Sequence, residues 1–553
     1  MNVIRKVPKG ALYVFIFSLI PIAALFHAGF PITHDGLDHI ARIANFYNGL
    51  SEGLLFPRWA ENLNWGYGHP ILMFLYPLSS YLASLFHFVG FSYADSLKIV
   101  FGVAYVSSGL TMYLWARRQF NEYMGIACAL LYLYGPYRFV DLYVRGAIGE
   151  HVAFVFPPLV LYSIFSYFAA KKIKHKYFSL MGIAITVGIT LLAHNAISLM
   201  FIPVFIFYPL FLIKQSKLKN LLYIYGTFLC GLALSSFFTI PAFLEGKFTL
   251  RDIVIGNEYA LRFVSNPLTL LYGNWNYGIT GQFSVQIGLI NILGLLAFPF
   301  VLSKMKKNKN LRLLLGFFGL FFLLSIFLVL PQSNFLYENM TILKKFQFPW
   351  RFLSLTTFSA SILTASVFLV ISKKYQKLGL VTLSILLLIT SSTFFHAKGY
   401  FSKPDSFYNK VYFGSTDTGE SAPIWSIRFM EHEPNAHIET ITGDVDFIEK
   451  ERLSTRHSYL ATIKSDTARI QENTLYFPGW KVFVDDVPVP IQFQDPAHRG
   501  LLTFEVSKGR HKIDVVFGDT KIRIIANSIS ILSFTTLLLL LIVVKIKYKH
   551  EKE

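Results

Sequence analysis

About thirteen apolar segments, each near the length that crosses a bilayer, are distributed along this 553-residue chain. Hydrophobic residues make up 54% of the chain, far more than the core of a soluble protein needs. The sequence therefore predicts a mainly α polytopic membrane protein with about 12–13 transmembrane helices. The segments lie near 11–30, 71–90, 98–116, 123–140, 152–170, 177–194, 196–213, 221–241, 285–303, 311–330, 352–372, 378–396 and 523–544.

The net charge of +19 does not indicate a nucleic-acid partner, because the basic residues are concentrated in short loops such as 171–176 and 304–309. This pattern is typical of cytoplasmic loops in a cell membrane. Both termini are basic and predicted to be cytoplasmic, so an even number of segments must cross. We expect the segment that does not cross to lie between 71 and 140, where Pro77 and Pro136 break helical structure.

Three regions are then predicted to be extracytoplasmic: the loops 31–70 and 242–284, and the polar stretch 397–522. The second half of the last region alternates apolar and polar residues as β-strands do, and Asp485-Asp486 is predicted to form a hairpin turn. We therefore expect a transmembrane domain over 1–396, a β-sandwich-like domain over 397–522, and a final helix with a basic tail over 523–553.

An acidic cluster follows the first apolar segment. Asp35, Asp38, His39 and Arg42 would share one face of a helix, and His34 lies beside them. Carboxylates at a membrane edge are costly, so we interpret Asp35 and Asp38 as a general base, a site for a divalent metal such as Mg²⁺ or Mn²⁺, or both. The alternative is that one of the two acids only caps the next helix.

A second polar cluster, at the ends of two apolar segments, holds a carboxylate beside guanidinium groups that could complete a site with Asp35. An ion-pair network between helices is the alternative. Its members are Arg138, Asp141, Arg145, Glu150 and His151. His194 lies within a long apolar stretch and is a candidate for substrate binding, although a structural hydrogen bond between helices also explains it.

Two aromatic stretches also carry arginines. Gln347 and Arg351 lie in a Phe-Gln-Phe-Pro-Trp-Arg run, where an arginine can hold a lipid phosphate or serve as an interfacial anchor. Arg58 and Trp59 lie in the loop 31–70, where an aromatic ring can stack on a sugar or anchor the membrane edge.

The order of these motifs resembles that of the bacterial YfhO-like membrane proteins, including those labelled 6-pyruvoyl-tetrahydropterin synthase-related, and through them the GT-C class of membrane glycosyltransferases. No metal-binding histidine triad of a pterin enzyme is visible in the sequence. The motifs that carry the resemblance are the acidic cluster, 57–59, 66–70, Arg145 with Glu150-His151, His194-Asn195, 346–351, 477–485 and 508–512.

The resemblance implies a multi-pass cell-membrane enzyme with an extracytoplasmic active site. It also implies a polyprenyl-phosphate-linked sugar as donor, and an envelope glycan, a glycolipid or a protein as acceptor. Asp35 matches the family's catalytic acid best and Asp38 second, although the usual acids are adjacent and these are three residues apart. Glu150 would assist catalysis, and Arg351 or Arg145 would stabilise the leaving phosphate.

Two other functions stay open. One is a transporter that flips a lipid-linked glycan, and the other is a non-catalytic assembly protein whose β-rich domain binds envelope polysaccharide.

Overall fold

The computed structural model describes residues 8–213, 218–256, 258–279 and 282–548. Part of the predicted basic amino terminus and the last five residues of the predicted cytoplasmic tail lie outside the described residues. The protein is a mainly helical membrane protein with an antiparallel sheet near its carboxyl end. In the described part of the chain, seven helices are long and apolar enough to cross a membrane: Tyr93–Gln119, Ile148–Ala169, Ile173–Ala193, Asn195–Leu212, Lys309–Val329, Pro349–Leu369 and Lys521–Lys547.

An eighth span is formed if the two helices of a bent pair, Lys219–Leu234 and Ser236–Leu244, are counted together across their 73° bend. By this measure of length and composition, seven or eight of the 13 apolar segments form helices long enough to cross a membrane. The other five apolar segments form shorter, broken or more polar helices. These are Lys9–Leu19 with Ala23–Phe26, Ile71–Phe74 with Leu78–Phe88, Glu122–Leu133 with Pro136–Phe139, Leu289–Lys304, and Lys373–Ser391.

Proline explains several of these breaks. The breaks predicted at Pro77 and Pro136 are confirmed: Pro77 lies between two consecutive helices, and Pro136 is the first residue of the helix that follows the break after Leu133. The first helix ends at Leu19, two residues before Pro21. A proline cannot donate the backbone hydrogen bond that continues a helix, and its ring clashes with the preceding turn.

The remaining short helices lie in the connections between the spans. The Gly36–Ser51 helix follows the first apolar segment and carries the acidic cluster. The others, including 3-10 turns, are Val140–Arg145, Gly246–Phe248, Arg251–Ile255, Glu258–Leu261, Pro267–Leu270, Pro331–Ser333, Asn334–Asn339, Thr341–Lys344, Asp405–Tyr408 and Pro496–His498.

The strands of the described residues are β1 (Phe30–Pro31), β2 (Tyr400–Phe401), β3 (Ile438–Thr442), β4 (Val445–Leu453), β5 (Arg456–Leu475), β6 (Trp480–Val484), β7 (Val487–Val489) and β8 (Leu501–Phe517). Six of them form one antiparallel sheet, in the order β3-β5-β8-β6-β7 with β4 also paired to β5. A separate two-stranded pair, β1 with β2, joins the first loop to the chain after the Lys373–Ser391 helix.

The predicted hairpin turn at Asp485-Asp486 is confirmed. It joins β6 to β7, and Val484 pairs with Val487. Both aspartates have positive φ, 48° and 64°, which is the backbone that a two-residue hairpin with native twist requires.

The sheet packs against the first loop, which starts at the acidic cluster. Trp59 lies edge-on to Trp480 with 5.3 Å between ring centroids, and Arg58 forms an ion pair with Asp519 at 2.9 Å. The chain after β2 also returns to this loop, where the amide of Tyr412 donates to the carbonyl of Asn62 at 2.7 Å. Both ends of the first loop are therefore held by residues from beyond position 400.

Candidate active site

Asp35 lies at the start of the Gly36–Ser51 helix, and its backbone is fixed by the neighbouring polar cluster. The amides of His34 and Asp35 donate to the carbonyls of Val144 and Arg145, each at 2.9 Å. Although Asp35 is the residue that precedes the helix, its side chain makes no capping hydrogen bond. The carboxylate is thus positioned by the backbone and does not serve as a cap.

The Asp35 carboxylate is half-buried, and within the described residues it accepts no side-chain hydrogen bond. Burial raises the pKa of this carboxyl, while the guanidinium groups of Arg145 and Arg42 oppose the rise. A partly desolvated carboxylate that accepts no side-chain hydrogen bond suits the role of general base, because its raised pKa lies nearer to neutral pH.

The segment that contacts the backbone of Asp35 contains an unusual turn. Val140–Arg145 is a π-helical turn, a geometry often found at functional sites, and it ends at Gly146 with φ of +69°. A Cβ atom on Gly146 would lie 2.3 Å from the hydroxyl of Thr33. Only glycine allows this close approach, which brings the second polar cluster against the first.

Glu150 lies at the centre of a buried charge network. Its carboxylate accepts hydrogen bonds from Arg145 Nη2, Arg351 Nε and the Tyr137 hydroxyl, each at 2.9 Å. Arg145 Nη1 donates to Asp141 at 2.8 Å. Both terminal nitrogens of Arg145 therefore already bind carboxylates of this network.

Arg351 keeps a hydrogen-bond donor that is not engaged. Its Nη1 donates to the carbonyl of Phe346 at 2.8 Å and lies 3.5 Å from Gln347 Oε1, and its guanidinium stacks on Phe348. Nη2 has no hydrogen-bond partner among the described residues. Gln347 has a φ of +64° and donates to Glu258 at 3.2 Å, while Arg351 itself is held by Glu150 and the Phe346 carbonyl.

Sequence reasoning missed a segment that completes the site. The Tyr412 hydroxyl donates to Asp38 at 2.7 Å, and Arg42 donates to the side chain and backbone of Thr416 at 3.0 and 2.5 Å. Thr416 has a φ of +66°, which is strained for a β-branched residue. Nothing in the sequence links positions 412–416 to Asp38 and Arg42; only the fold brings them together.

Tyr76 is a second residue that sequence reasoning missed. Its ring packs on the imidazole of His194 with 4.7 Å between centroids, and His194 Nδ1 accepts the amide of Ile197 at 3.3 Å. A Cβ atom on Gly149 would lie 2.0 Å from the Tyr76 ring, so that glycine makes room for it. The Leu75–Pro77 break between two short helices places Tyr76 here, and the proline was the available signal.

Three residues predicted to bind substrate, Arg58, Trp59 and His151, are instead engaged or enclosed by other parts of the protein, so we do not propose them as substrate ligands. Arg58 is bound to Asp519, and Trp59 is 1% exposed against Trp480, which leaves no ring face for a sugar. His151 is fully buried and its Nε2 lies 3.2 Å from a backbone carbonyl. These residues hold the helices and the sheet together.

The acidic cluster offers two carboxylates, Asp35 and Asp38, to a divalent metal. Within the described residues there is no group of three or more His, Cys, Asp or Glu side chains placed to hold a metal ion. Asp38 Oδ1 accepts a hydrogen bond from the Tyr412 hydroxyl, which leaves its second carboxylate oxygen available. Mg²⁺ is commonly held by one or two carboxylates together with water and substrate phosphate, so Asp35 and Asp38 are the residues that would hold such an ion, although the mechanism below uses no metal.

No protein-family model matches the chain, so the YfhO-like resemblance stays a prediction. An uncharacterized protein from Lactococcus lactis subsp. cremoris (strain MG1363) is 22% identical over 317 residues, covering 55% of this chain and 50% of that protein. The chain thus spans half the length of this relative.

Several solved membrane enzymes are similar in structure. Arabinofuranosyltransferase AftD from Mycobacteria matches with TM-score 0.42 and 14% identity over 70% of this chain and 26% of that chain. AglB, an oligosaccharyltransferase from Archaeoglobus fulgidus in complex with an inhibitory peptide and a dolichol-phosphate, has TM-score 0.43 and 14% identity, with coverages of 75% and 61%. ArnT from Cupriavidus metallidurans bound to undecaprenyl phosphate has TM-score 0.38 and 12% identity, with coverages of 73% and 68%. These scores are all below 0.5, so function is argued below from this chain's own residues.

Proposed function

We propose that this protein is a membrane glycosyltransferase that moves a sugar from a polyprenyl-phosphate donor to a hydroxyl of a cell-envelope acceptor, on the extracytoplasmic side. The observation that carries the proposal is the contrast between Asp35 and the other acids of the site. Asp38, Asp141 and Glu150 each accept a hydrogen bond, whereas Asp35 accepts none from a side chain in the described part of the chain.

In this mechanism Asp35 acts as the base. It removes the proton from the acceptor hydroxyl as that oxygen forms a bond to the anomeric carbon of the donor sugar. The bond between the anomeric carbon and the phosphate oxygen breaks at the same time, and its electron pair leaves with polyprenyl phosphate. Attack opposite the leaving group inverts the configuration of the sugar.

Arg351 stabilises the charge that develops on the leaving phosphate. Its Nη2 is the donor without a partner among the described residues, and a fixed guanidinium is a strong ligand for phosphate oxygen. Glu150 holds Arg351 through Nε at 2.9 Å and is therefore a positioning residue, since its carboxylate is 1% exposed. Asp38 and Arg42 are held by the 412–416 segment at the edge of the same site.

The acceptor is an envelope glycan, a glycolipid or a protein, and the lipid bilayer holds the donor. Each of these three acceptor classes can present a hydroxyl group to Asp35, so the proposed chemistry is the same for all of them. The lipid-linked donor is supported by the position of Glu150 and Arg351 near the starts of the apolar helices Ile148–Ala169 and Pro349–Leu369, and by the unpaired Nη2 of Arg351.

The test is sugar transfer or hydrolysis by the purified full-length protein with labelled polyprenyl-phosphate monosaccharides. Asp35→Asn should lower turnover by about 10²–10⁴-fold, the usual contribution of a general base. Asp466→Asn is the matched control, because its side chain is 99% exposed in the sheet. Turnover that survives Asp35→Asn would rule out this mechanism, and lipid translocation without turnover in the wild type would favour a flippase.

A further inference from the structure

Two connections outside the spanning helices, 243–255 and 331–345, expose large apolar side chains. Phe243 is 73% exposed, and Ile253 is 79% exposed on a short helix that contacts the Gly246–Phe248 turn. Single exposed apolar side chains are normal on a protein surface, but a contiguous apolar patch marks a contact with a membrane or with another protein.

The first connection begins at the end of a helix that lies close to the membrane plane. Ser236–Leu244 follows the apolar helix Lys219–Leu234 and is bent from it by 73°. Spanning helices are tilted by roughly 20° on average from the membrane normal, so a helix bent this far from one lies nearer to the membrane plane than to the normal. Leu222 and Leu229 are exposed on Lys219–Leu234, as lipid-facing side chains are. Phe243 therefore lies where this lipid-facing surface reaches the membrane boundary.

The outward direction of Phe243 is fixed by the opposite side of the same segment. Glu245, two residues later, is buried, and its carboxylate accepts hydrogen bonds from Arg523 Nε at 2.8 Å and from the Thr520 hydroxyl at 2.6 Å. Turning the segment to bury Phe243 would break this ion pair and leave a buried charge without a partner, which is strongly destabilising. The exposure of Phe243 is thus a consequence of the fold.

The second connection lies against the first and extends the patch. The Lys345 ammonium lies over the Phe243 ring, 5.0 Å from its centroid, which joins two segments far apart in the sequence. Tyr337 is fully buried, whereas Met340 and Ile342 on the same connection are exposed. The two connections therefore present one apolar surface.

The charges around this surface favour lipid over protein as its partner. Lys247, Lys344 and Lys345 have no acidic partner in the described part of the chain, and each ammonium lies 5.0 to 5.9 Å from the centroid of an aromatic ring. Apart from Glu245, the two connections carry four basic and two acidic residues. Lysines beside exposed apolar and aromatic side chains are typical of segments in the headgroup region, whereas lysine is depleted in contacts between proteins.

We propose that the patch formed by 243–255 and 331–345 lies in the headgroup region of the membrane leaflet on the extracytoplasmic side. Its apolar side chains reach the upper part of the lipid tails, and Lys247, Lys344 and Lys345 bind lipid phosphates. Part of the loop that was predicted to be extracytoplasmic is then embedded in the membrane surface and is not surrounded by water. This contact does not depend on the proposed sugar transfer.

Spin-label accessibility tests the depth of the patch, using the full-length protein in lipid vesicles. Cys230→Ser removes the exposed native cysteine, and Cys128 is buried and does not react with the label. Labels at Ile253→Cys and Ile342→Cys should collide more often with oxygen, which dissolves in the membrane, than with a neutral nickel complex that stays in water.

Two labelled controls set the scale. Ile448→Cys reports on water, because that side chain is exposed on β4, and Leu540→Cys reports on lipid, because it is exposed on the Lys521–Lys547 helix. The ratio of oxygen to nickel accessibility at Ile253→Cys and Ile342→Cys should lie between those of the two controls. A ratio equal to that of Ile448→Cys would overturn the proposal. Low accessibility to both reagents would show that a protein covers the patch and would also overturn it, and two positions keep the test valid if one variant does not fold.

Charge-removing variants test the lysines. Nickel accessibility at Ile253→Cys should be lower in vesicles that contain phosphatidylglycerol than in phosphatidylcholine alone, because the lysines draw the patch towards anionic lipid. Lys247→Gln combined with Lys345→Gln should abolish this difference. Lys450→Gln combined with Lys481→Gln is the matched control, since it removes the same charge from exposed positions on the sheet and should keep the difference. A difference that survives in both pairs would overturn the role of the lysines.

Discussion

Raising the pH should weaken the contact between the first loop and the sheet, because that contact contains a buried, charged histidine. His457 on β5 lies 2.8 Å from Glu472 Oε1 through Nδ1 and 3.3 Å from Glu61 Oε1 through Nε2. Arg452 forms ion pairs with both carboxylates. Burial alone would lower the pKa of His457, but the two carboxylates outweigh it and raise the pKa to about 9.

The sign of the effect follows from the direction of this shift. A raised pKa means that the folded protein binds the proton more tightly, so the contribution is fully present below about pH 6.5 and is lost as the pH rises through about 9. For pKa values of about 6.5 unfolded and about 9 folded, about 2.5 kcal/mol of stability disappears between pH 7 and pH 10. His457 is fully buried, so solvent does not screen this contribution.

The assay compares thermal unfolding of wild type and His457→Gln, both full-length in nanodiscs, at pH 7 and pH 10. Glutamine does not titrate, so the variant should be less stable at pH 7 and should lose less stability on going to pH 10. His432→Gln is the control, because that side chain is exposed and bonds only to a neighbouring carbonyl. Other groups titrate equally in all three proteins, so equal losses in wild type and His457→Gln would refute the reasoning. Hydrogen exchange at Glu61 and along β5 would locate the opening.

Three further predictions concern the site. Tyr412→Phe removes the donor to Asp38 and should lower the initial rate of transfer by about tenfold with little change in melting temperature; an unchanged rate would contradict this. Gly149→Ala places a Cβ atom 2.0 Å from the Tyr76 ring and should reduce activity sharply, whereas Gly226→Ala, with nothing within 4 Å, should behave as wild type. EDTA should leave the rate unchanged, because the proposed mechanism takes its base from Asp35 and its phosphate ligand from Arg351; inhibition that Mg²⁺ or Mn²⁺ reverses would contradict it and would assign Asp35 and Asp38 to a metal.

Much of the architecture could be predicted because it depends on local physics. Apolar length predicted the spanning helices, and the two prolines predicted where helices break. The Asp485-Asp486 turn could be predicted because few residue pairs adopt positive φ at both positions. Hydropathy did not show which apolar segments form one continuous helix and which form shorter or broken helices, because both kinds have a similar apolar length.

The partners within the site were harder to predict. Asp35, Glu150 and Arg351 were singled out as costly polar groups in apolar surroundings, yet the sequence did not show that Glu150 would hold Arg351. Contacts such as Tyr412 with Asp38 join positions 374 residues apart. Such pairings depend on how the chain returns to the first loop, which no local pattern encodes.

The ion pairs around Glu150 explain why the site contains many charged residues although the reaction uses only two of them directly. An isolated carboxylate and an isolated guanidinium in a membrane protein would attract each other and neutralise the site. Here Glu150 occupies the Nε side of Arg351 and fixes its direction, while Arg145 is engaged by Asp141 and Glu150 and does not close onto Asp35. The bound charges therefore keep the base and the phosphate ligand apart and oriented before substrate arrives, which is the preorganisation on which electrostatic catalysis depends.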